Sequence, residues 1–185
     1  SFHHAAFQVA SIITTTGYST EDFDLWPMFS KMILILLMFC GACAGSTGGG
    51  IKVSRILILL KAVRTEIRHY MHPRAVTTMK MDGKAIDKSI FRGVLVYLAA
   101  YAFLFAVSVL ILSLDPTQSF ATDFTAVAAT FNNIGPGLEM VGPAANFNSL
   151  TLLSKYVLMF DMLAGRLELF PLLVFFLPST WKKSA

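Results

Sequence analysis

The sequence predicts an all-α integral membrane protein. It is expected to contain about one and a half repeats of a unit made of a membrane helix, a short dipping helix with a glycine turn, and a second membrane helix. Three observations predict this. The chain is 55% hydrophobic and only 14% charged, with a mean hydropathy of +0.64, too apolar for an ordinary soluble domain. Residues 94–114 carry no charge, and at about 1.5 Å per residue such a run reaches about 30 Å, the thickness of the hydrocarbon layer. Finally, two short apolar segments each run into a polar turn with a glycine, Gly17 and Gly135, 118 positions apart.

Residues 2–13 form the first short helix, too short to span a bilayer but long enough to dip into one. His3 and His4 stand at its start. A metal site needs further ligands at suitable spacing, and none accompany them, so they read as interfacial residues. The helix runs into Thr14-Thr15-Thr16-Gly17-Tyr18-Ser19. Carbonyls can converge on one axis only where the backbone takes dihedrals that most residues resist, which is the use of the glycine. A ring of such carbonyls can replace the hydration shell of a potassium ion. A Thr-rich turn closing a helix is the plainer alternative. Glu21-Asp22-Phe23-Asp24 follows; carboxylates there would concentrate cations at a pore mouth, and a solvated loop has the same composition.

Lys31 opens a long apolar segment, uninterrupted over 32–39. It breaks at Gly41-Ala42-Cys43-Ala44-Gly45-Ser46-Thr47-Gly48-Gly49-Gly50 and resumes over 56–60. Irregular backbone at membrane depth is tolerated only where protein buries it or it lines a water-filled cavity. A nucleotide-binding loop needs Gly-Lys-Ser/Thr after a strand, whereas Gly50 precedes Ile51-Lys52-Val53. Cys40 and Cys43 form C-x-x-C without the strand-to-helix context of a redox motif, so they read as small membrane-helix residues. Residues 52–92 hold ten Lys and Arg against three acids, a local net of +7. Loops rich in Lys and Arg between spans are cytoplasmic, which puts Gly17 near the outer face. His72-Pro73 ends the preceding helix and Asp82-Gly83 makes a turn. The net charge is +4, but with its cations confined and no aromatic-studded basic sheet or zinc pattern, nucleic acid is not an expected partner.

The apolar run over 94–114 ends at Asp115-Pro116, outside. Residues 122–131 form the second short helix and lead into Asn132-Asn133-Ile134-Gly135-Pro136-Gly137. A last apolar segment over 148–177 is closed by Trp181-Lys182-Lys183, with Trp at an interface and Lys-Lys inside. The halves echo each other. Ala10 meets Ala128 at an offset of 118; Ser30-Lys31 meets Ser154-Lys155 and Met38-x-x-Gly41 meets Met162-x-x-Gly165 at 124. Three parts follow: 1–71, a repeat without its first span; 72–88, a cytoplasmic connector; and 89–185, a repeat with both spans. The chain opens on Ser1, with no basic region ahead of an apolar core, so a fragment or processed chain without a signal peptide is expected.

The segment Phe7 to Ser19, the stretch Gly45-Ser46-Thr47-Gly48-Gly49-Gly50-Ile51-Lys52-Val53-Ser54-Arg55 and Gly165-Arg166-Leu167-Glu168 together resemble the Trk/Ktr/HKT potassium transporters, most nearly the bacterial Trk/Ktr pore subunits. The likeness covers essentially the whole chain but only about the second half of such a subunit, which carries four potassium-channel-like helix–pore-helix–helix repeats. The resemblance implies that Gly17 and Gly135 each serve one quarter of a selectivity filter, with Thr15, Thr16, Asn133 and Ile134 beside them. It implies a gating loop at Gly45, Ser46, Thr47, Gly48, Gly49 and Gly50, and a gate arginine at Arg166. It also implies a multi-pass protein of the cell inner membrane, in contact with lipid and with the missing N-terminal half. A homodimer and a cytosolic nucleotide-binding regulatory ring (TrkA/KtrA-like) complete the expected assembly. The second turn departs from the family pattern: it reads Asn133-Ile134-Gly135-Pro136 rather than Thr-x-Gly-Tyr.

Arg166 calls for a partner on physical grounds, because an arginine in mid-membrane costs several kcal/mol without water or a counter-group. Asp161 and Glu168 stand at spacings that do not share its helix face. The expected target is a pore, the glycine-rich carbonyls or the absent half; an interhelical salt bridge is the alternative. The expected function is potassium uptake without covalent chemistry, so neither an enzyme nor a cofactor is expected; potassium is the substrate. A sodium-preferring or mixed cation transporter of the same fold is the alternative. A non-conducting scaffold or membrane enzyme is disfavoured, since no paired carboxylates on one helix face, no Ser/His/Asp set and no metal cluster stand out.

Overall fold

The computed structural model describes residues 2–41, 48–72, 80–81, 84–166 and 174. Among them are six α-helices: α1 (Phe2–Ile13), α2 (Met28–Phe39), α3 (Val53–Met71), α4 (Lys88–Leu112), α5 (Phe120–Phe131) and α6 (Leu152–Arg166). Two minimal strand pairs interrupt them. β1 (Cys40–Gly41) pairs in parallel with β2 (Ile51–Lys52), and β3 (Lys80–Met81) pairs antiparallel with β4 (Lys84–Ala85).

The two short helices are alike in length, 12 residues each, and occupy the same positions once 118 is added. α5 begins two residues ahead of the expected 122, because the Ser119 hydroxyl accepts from the Thr122 amide and caps the helix. α4 is the one described helix long and apolar enough to cross a membrane, over Ser89–Leu112. It starts before the expected residue 94 because Asp87 caps it, its carboxylate accepting the Ser89 amide. α2 stops at Phe39, where the β1–β2 bridge takes the backbone out of helical register. The break in the first apolar segment is therefore present, although residues 42–47 lie outside the described part. α3 ends at Met71, ahead of His72-Pro73, as expected from the restriction a proline places on the residue before it. The expected last span over 148–177 is described as a helix only for Leu152–Arg166 and residue 174.

The core forms around α5. Ala126, Val127, Ala128, Ala129 and Phe131 are completely buried, against α4, α6 and α2. Small side chains let three helices approach α5 closely, and aromatic rings fill the space that remains. Phe131 meets Tyr101 edge to face at 4.7 Å, and Phe105 meets Phe124 the same way at 5.2 Å. Phe105 borders all three apolar clusters of the core. The outward surface is unusually apolar: Phe29, Leu36, Phe103 and Leu110 are exposed.

Candidate functional site

The site consists of the two glycine turns, which lie against each other. Gly17 has φ +78° and Gly135 has φ +118°, conformations that side chains disfavour. A methyl group at Gly17 would run into the Ile134 carbonyl oxygen, and one at Gly135 would stand 4.0 Å from the Gly17 Cα. Two residues upstream, Thr15 and Asn133 share φ +55°. This is the left-handed region, which asparagine tolerates better than threonine.

The hydrogen bonds repeat with the same offset. The Thr14, Thr15 and Thr16 amides donate to the carbonyls of Ala10, Ile12 and Ser11. The Asn132, Asn133 and Ile134 amides donate to those of Ala128, Thr130 and Ala129. Both turns thus end a short helix through the same winding of the chain. Even a side-chain bond is reproduced by different chemistry: the Thr14 hydroxyl donates to the Ala10 carbonyl at 2.7 Å, and the Asn132 amide group to the Ala128 carbonyl at 2.7 Å. This equivalence holds at the residue just before the Thr-x-Gly-Tyr pattern, where Asn132 stands in the place of Thr14.

Thr15, Thr16, Asn133, Ile134 and Gly135 line a cavity of about 520 Å³, with Met159 and Met162 of α6 on its wall. The C-terminal ends of α1 and α5 both lead into it, and helix C-termini carry partial negative charge suited to a cation. Lys155 also reaches this cavity, but its ammonium is held by the Asn148 carbonyl at 2.8 Å. Lys31 repeats that clamp 124 positions earlier, on the Asp24 carbonyl at 2.7 Å.

The expected gating residues separate into two groups. Gly48, Gly49 and Gly50 are described, and Gly49 and Gly50 are buried behind the second turn. Added side chains would meet the Asn132 carbonyl at Gly49 and the Asn132 Oδ1 at Gly50. Gly45, Ser46 and Thr47 lie outside the described residues. Arg166 is exposed in the last turn of α6. Its neighbour Gly165 is pressed onto the Phe131 carbonyl, where any side chain would collide. Asp161 is fully buried on the same helix and accepts from the Ser108 hydroxyl at 2.7 Å. Glu168 lies outside the described residues.

Sequence reasoning missed several supporting residues. Asp24, read as a possible mouth carboxylate, is a structural tie: its Oδ1 stands 3.3 Å from the Lys31 ammonium and its Oδ2 accepts the Glu139 amide at 2.9 Å. It thereby joins the loops that follow the two turns. Glu139 in turn accepts from the Ser119 and Thr122 hydroxyls at the start of α5. Tyr101 and Asn132 were missed as a pair, 31 residues apart, and no spacing rule connects them. The repeated Ser-Lys landmark was a usable signal for the two lysine clamps. Among the described residues, no group of three or more His, Cys, Asp and Glu could hold a metal ion.

Comparison with known proteins gives a consistent result. The TrkH family, described as cation transport protein, matches residues 1–183. The Trk system potassium uptake protein TrkH of Escherichia coli K12 is 42% identical over 183 residues, covering 99% of this chain and 37% of that protein. TrkH of Vibrio parahaemolyticus is 43% identical over 182 residues, covering 98% of this chain and 37% of that protein. The crystal structure of the potassium transporter TrkH from Vibrio parahaemolyticus superposes with a TM-score of 0.87 at 43% identity, over 98% of this chain and 38% of that one. The chain thus spans a little over a third of the length of these relatives, which are named for potassium uptake rather than for an enzymatic reaction. With the family's match running over nearly every residue, the chain belongs to the TrkH family of cation transport proteins.

Proposed function

We propose that this chain supplies two of the four filter quarters of a potassium-uptake pore subunit in the cell inner membrane. The observation that carries the reading is the pairing of Gly17 with Gly135, on turns with the same hydrogen-bond winding at one fixed offset. Thr15, Thr16 and Gly17, with Asn133, Ile134 and Gly135, would offer oxygens to a dehydrated potassium ion, lowering the barrier to entry without covalent chemistry. The C-terminal ends of α1 and α5 would add favourable potential. The exposed apolar residues on α2 and α4 suit contact with lipid, and the names and fold of the relatives agree with transport.

In this reading α4 and the helices built on α2 and α6 span the membrane in two repeats, 1–71 and 89–185, joined by the cytoplasmic connector 72–88. The glycine-rich stretch from Gly45 to Gly50 acts as an intramembrane gate beneath the filter, and Arg166 acts beside it. The remaining half of the subunit closes the pore, two subunits form a dimer, and a cytosolic nucleotide-binding ring docks on the basic inner face. Rubidium uptake by the complete subunit, expressed in a cell deficient in potassium uptake, tests the proposal. Saturable rubidium uptake that restores growth at low potassium, with little competition from sodium, is expected. Uptake that follows sodium instead would reassign the substrate, and absence of any cation uptake by a correctly inserted subunit would end the transport assignment.

A further inference from the structure

Asn132 is completely buried behind the second turn, and both ends of its side chain are engaged. Its amide nitrogen donates to the Ala128 carbonyl, and its Oδ1 accepts from the Tyr101 hydroxyl at 2.8 Å. The corresponding Thr14 of the first turn is exposed, so this arrangement belongs to the second turn. Tyr101 is itself buried and its ring stands edge-on to Phe131 at 4.7 Å. One helical turn away, Tyr97 carries the Arg55 guanidinium 3.9 Å above its ring centre.

Arg55 lies in the first turn of α3, on the chain leaving the glycine-rich stretch. The stretch itself returns to the same asparagine, since Gly49 packs on the Asn132 carbonyl and Gly50 leaves only 3.1 Å between an added Cβ and Asn132 Oδ1. Both the end of this stretch and the helix after it therefore close, directly or through two tyrosines, on the residue that begins the second turn.

We propose that Asn132 is the joint that connects the glycine-rich stretch to the second filter turn, and that Tyr101 is the positioning residue that keeps this joint seated. The inference rests on the filter and gate reading given above. A displacement of Gly49 or Gly50 changes the packing on Asn132. The Tyr101 hydroxyl fixes the amide orientation, and with it the path of Asn133 to Gly135. Tyr101 touches no ion in this account; it acts through Asn132 on discrimination between cations.

The test uses the complete subunit and measures rubidium uptake with competing sodium. Tyr101→Phe removes one oxygen and keeps the ring against Phe131. Loss of a hydrogen bond of ordinary net strength predicts a fall in rubidium-over-sodium discrimination of about threefold to tenfold, with a shifted half-saturation concentration and unchanged membrane abundance. Asn132→Ala should lower discrimination similarly, and the double variant should lose no more than Asn132→Ala alone, because the two residues act as one unit. Wild-type discrimination in Tyr101→Phe, or additive losses in the double variant, overturns the proposal. Should Tyr101→Phe not accumulate in the membrane, Asn132→Ala decides alone, and normal discrimination there overturns it. A wild-type subunit that takes up no rubidium would instead sink the underlying transport reading before any variant is compared.

Discussion

Replacing Gly17 by alanine is the sharpest perturbation available at the site. Two costs arise. At φ +78° a side chain meets left-handed strain, about 1–2 kcal/mol for a non-glycine residue. The new Cβ would also fall inside the 3.0 Å that real Cβ atoms respect, onto the Ile134 carbonyl oxygen, with the Ile134 carbonyl carbon at 3.2 Å and Pro136 Cδ at 3.5 Å. Backbone on one side and a proline ring on the other leave no flexible side chain to yield. Overpacking of this kind costs about 1–3 kcal/mol. The total, about 2–5 kcal/mol, falls on the contact between the two turns rather than on the distant core. If only 2 kcal/mol of it appears in the barrier to ion entry, rubidium uptake slows about thirtyfold. Gly135→Ala should be milder: its φ of +118° is strained, but the added Cβ meets nothing nearer than the Gly17 Cα at 4.0 Å. The assay is initial-rate rubidium uptake by the complete subunit, normalised to membrane abundance, with a thermal melt of purified protein as the stability control. Wild-type uptake and discrimination in Gly17→Ala would refute the reasoning, as would a Gly135→Ala variant more severely impaired than Gly17→Ala.

Other outcomes follow from the same geometry. Gly17→Asp, which adds charge to the same collision, should abolish growth at low potassium while the protein still inserts, as an immunoblot of membranes would register. Arg166→Ala in the complete subunit should raise or deregulate cation flux; unchanged flux at normal expression counts against a gating role. Asp24→Ala removes the acceptor of the Glu139 amide and the carboxylate beside Lys31, while the backbone carbonyl that holds Lys31 stays. It should lower the melting temperature by an amount corresponding to about 1–3 kcal/mol, whereas Asp24→Asn, which retains an acceptor, should lose less. The Asp115 carboxylate accepts from the Thr117 hydroxyl and amide and from the Gln118 side chain, which together hold it below its ordinary value of 3.8. A lowered folded value means stability that is complete above pH 3.8 and lost as pH falls through the lower folded value. Asp115→Asn should therefore flatten the acid arm of the melting-temperature profile, and a profile unchanged by the substitution would contradict the assignment.

The positions of the two short helices, the glycine turns after them, the long apolar helix and the break after Phe39 were all legible in the amino-acid order. Each is a local matter of apolar run length, of glycine, or of proline and small residues in succession. The repeat at 118 was also visible, although the different residues of the second turn obscured it. One of these differences is matched in the structure: Asn132 makes with its amide the bond that Thr14 makes with its hydroxyl. The family likeness identified glycine-rich and arginine candidates that periodicity could not rank.

What the order of residues alone determined is where the short and long apolar helices lie and where the chain turns between them, because those depend on the hydrophobicity and backbone freedom of neighbouring residues. Only the tertiary structure decided which distant groups share a surface: Gly17 on Ile134, Gly165 on the Phe131 carbonyl, Asp24 beneath Glu139, and Tyr101 on Asn132. Those meetings depend on how helices pack around α5, where buried polar groups must find partners and small residues permit backbone contact. No local rule encodes a pairing set by the close packing of four helices at once.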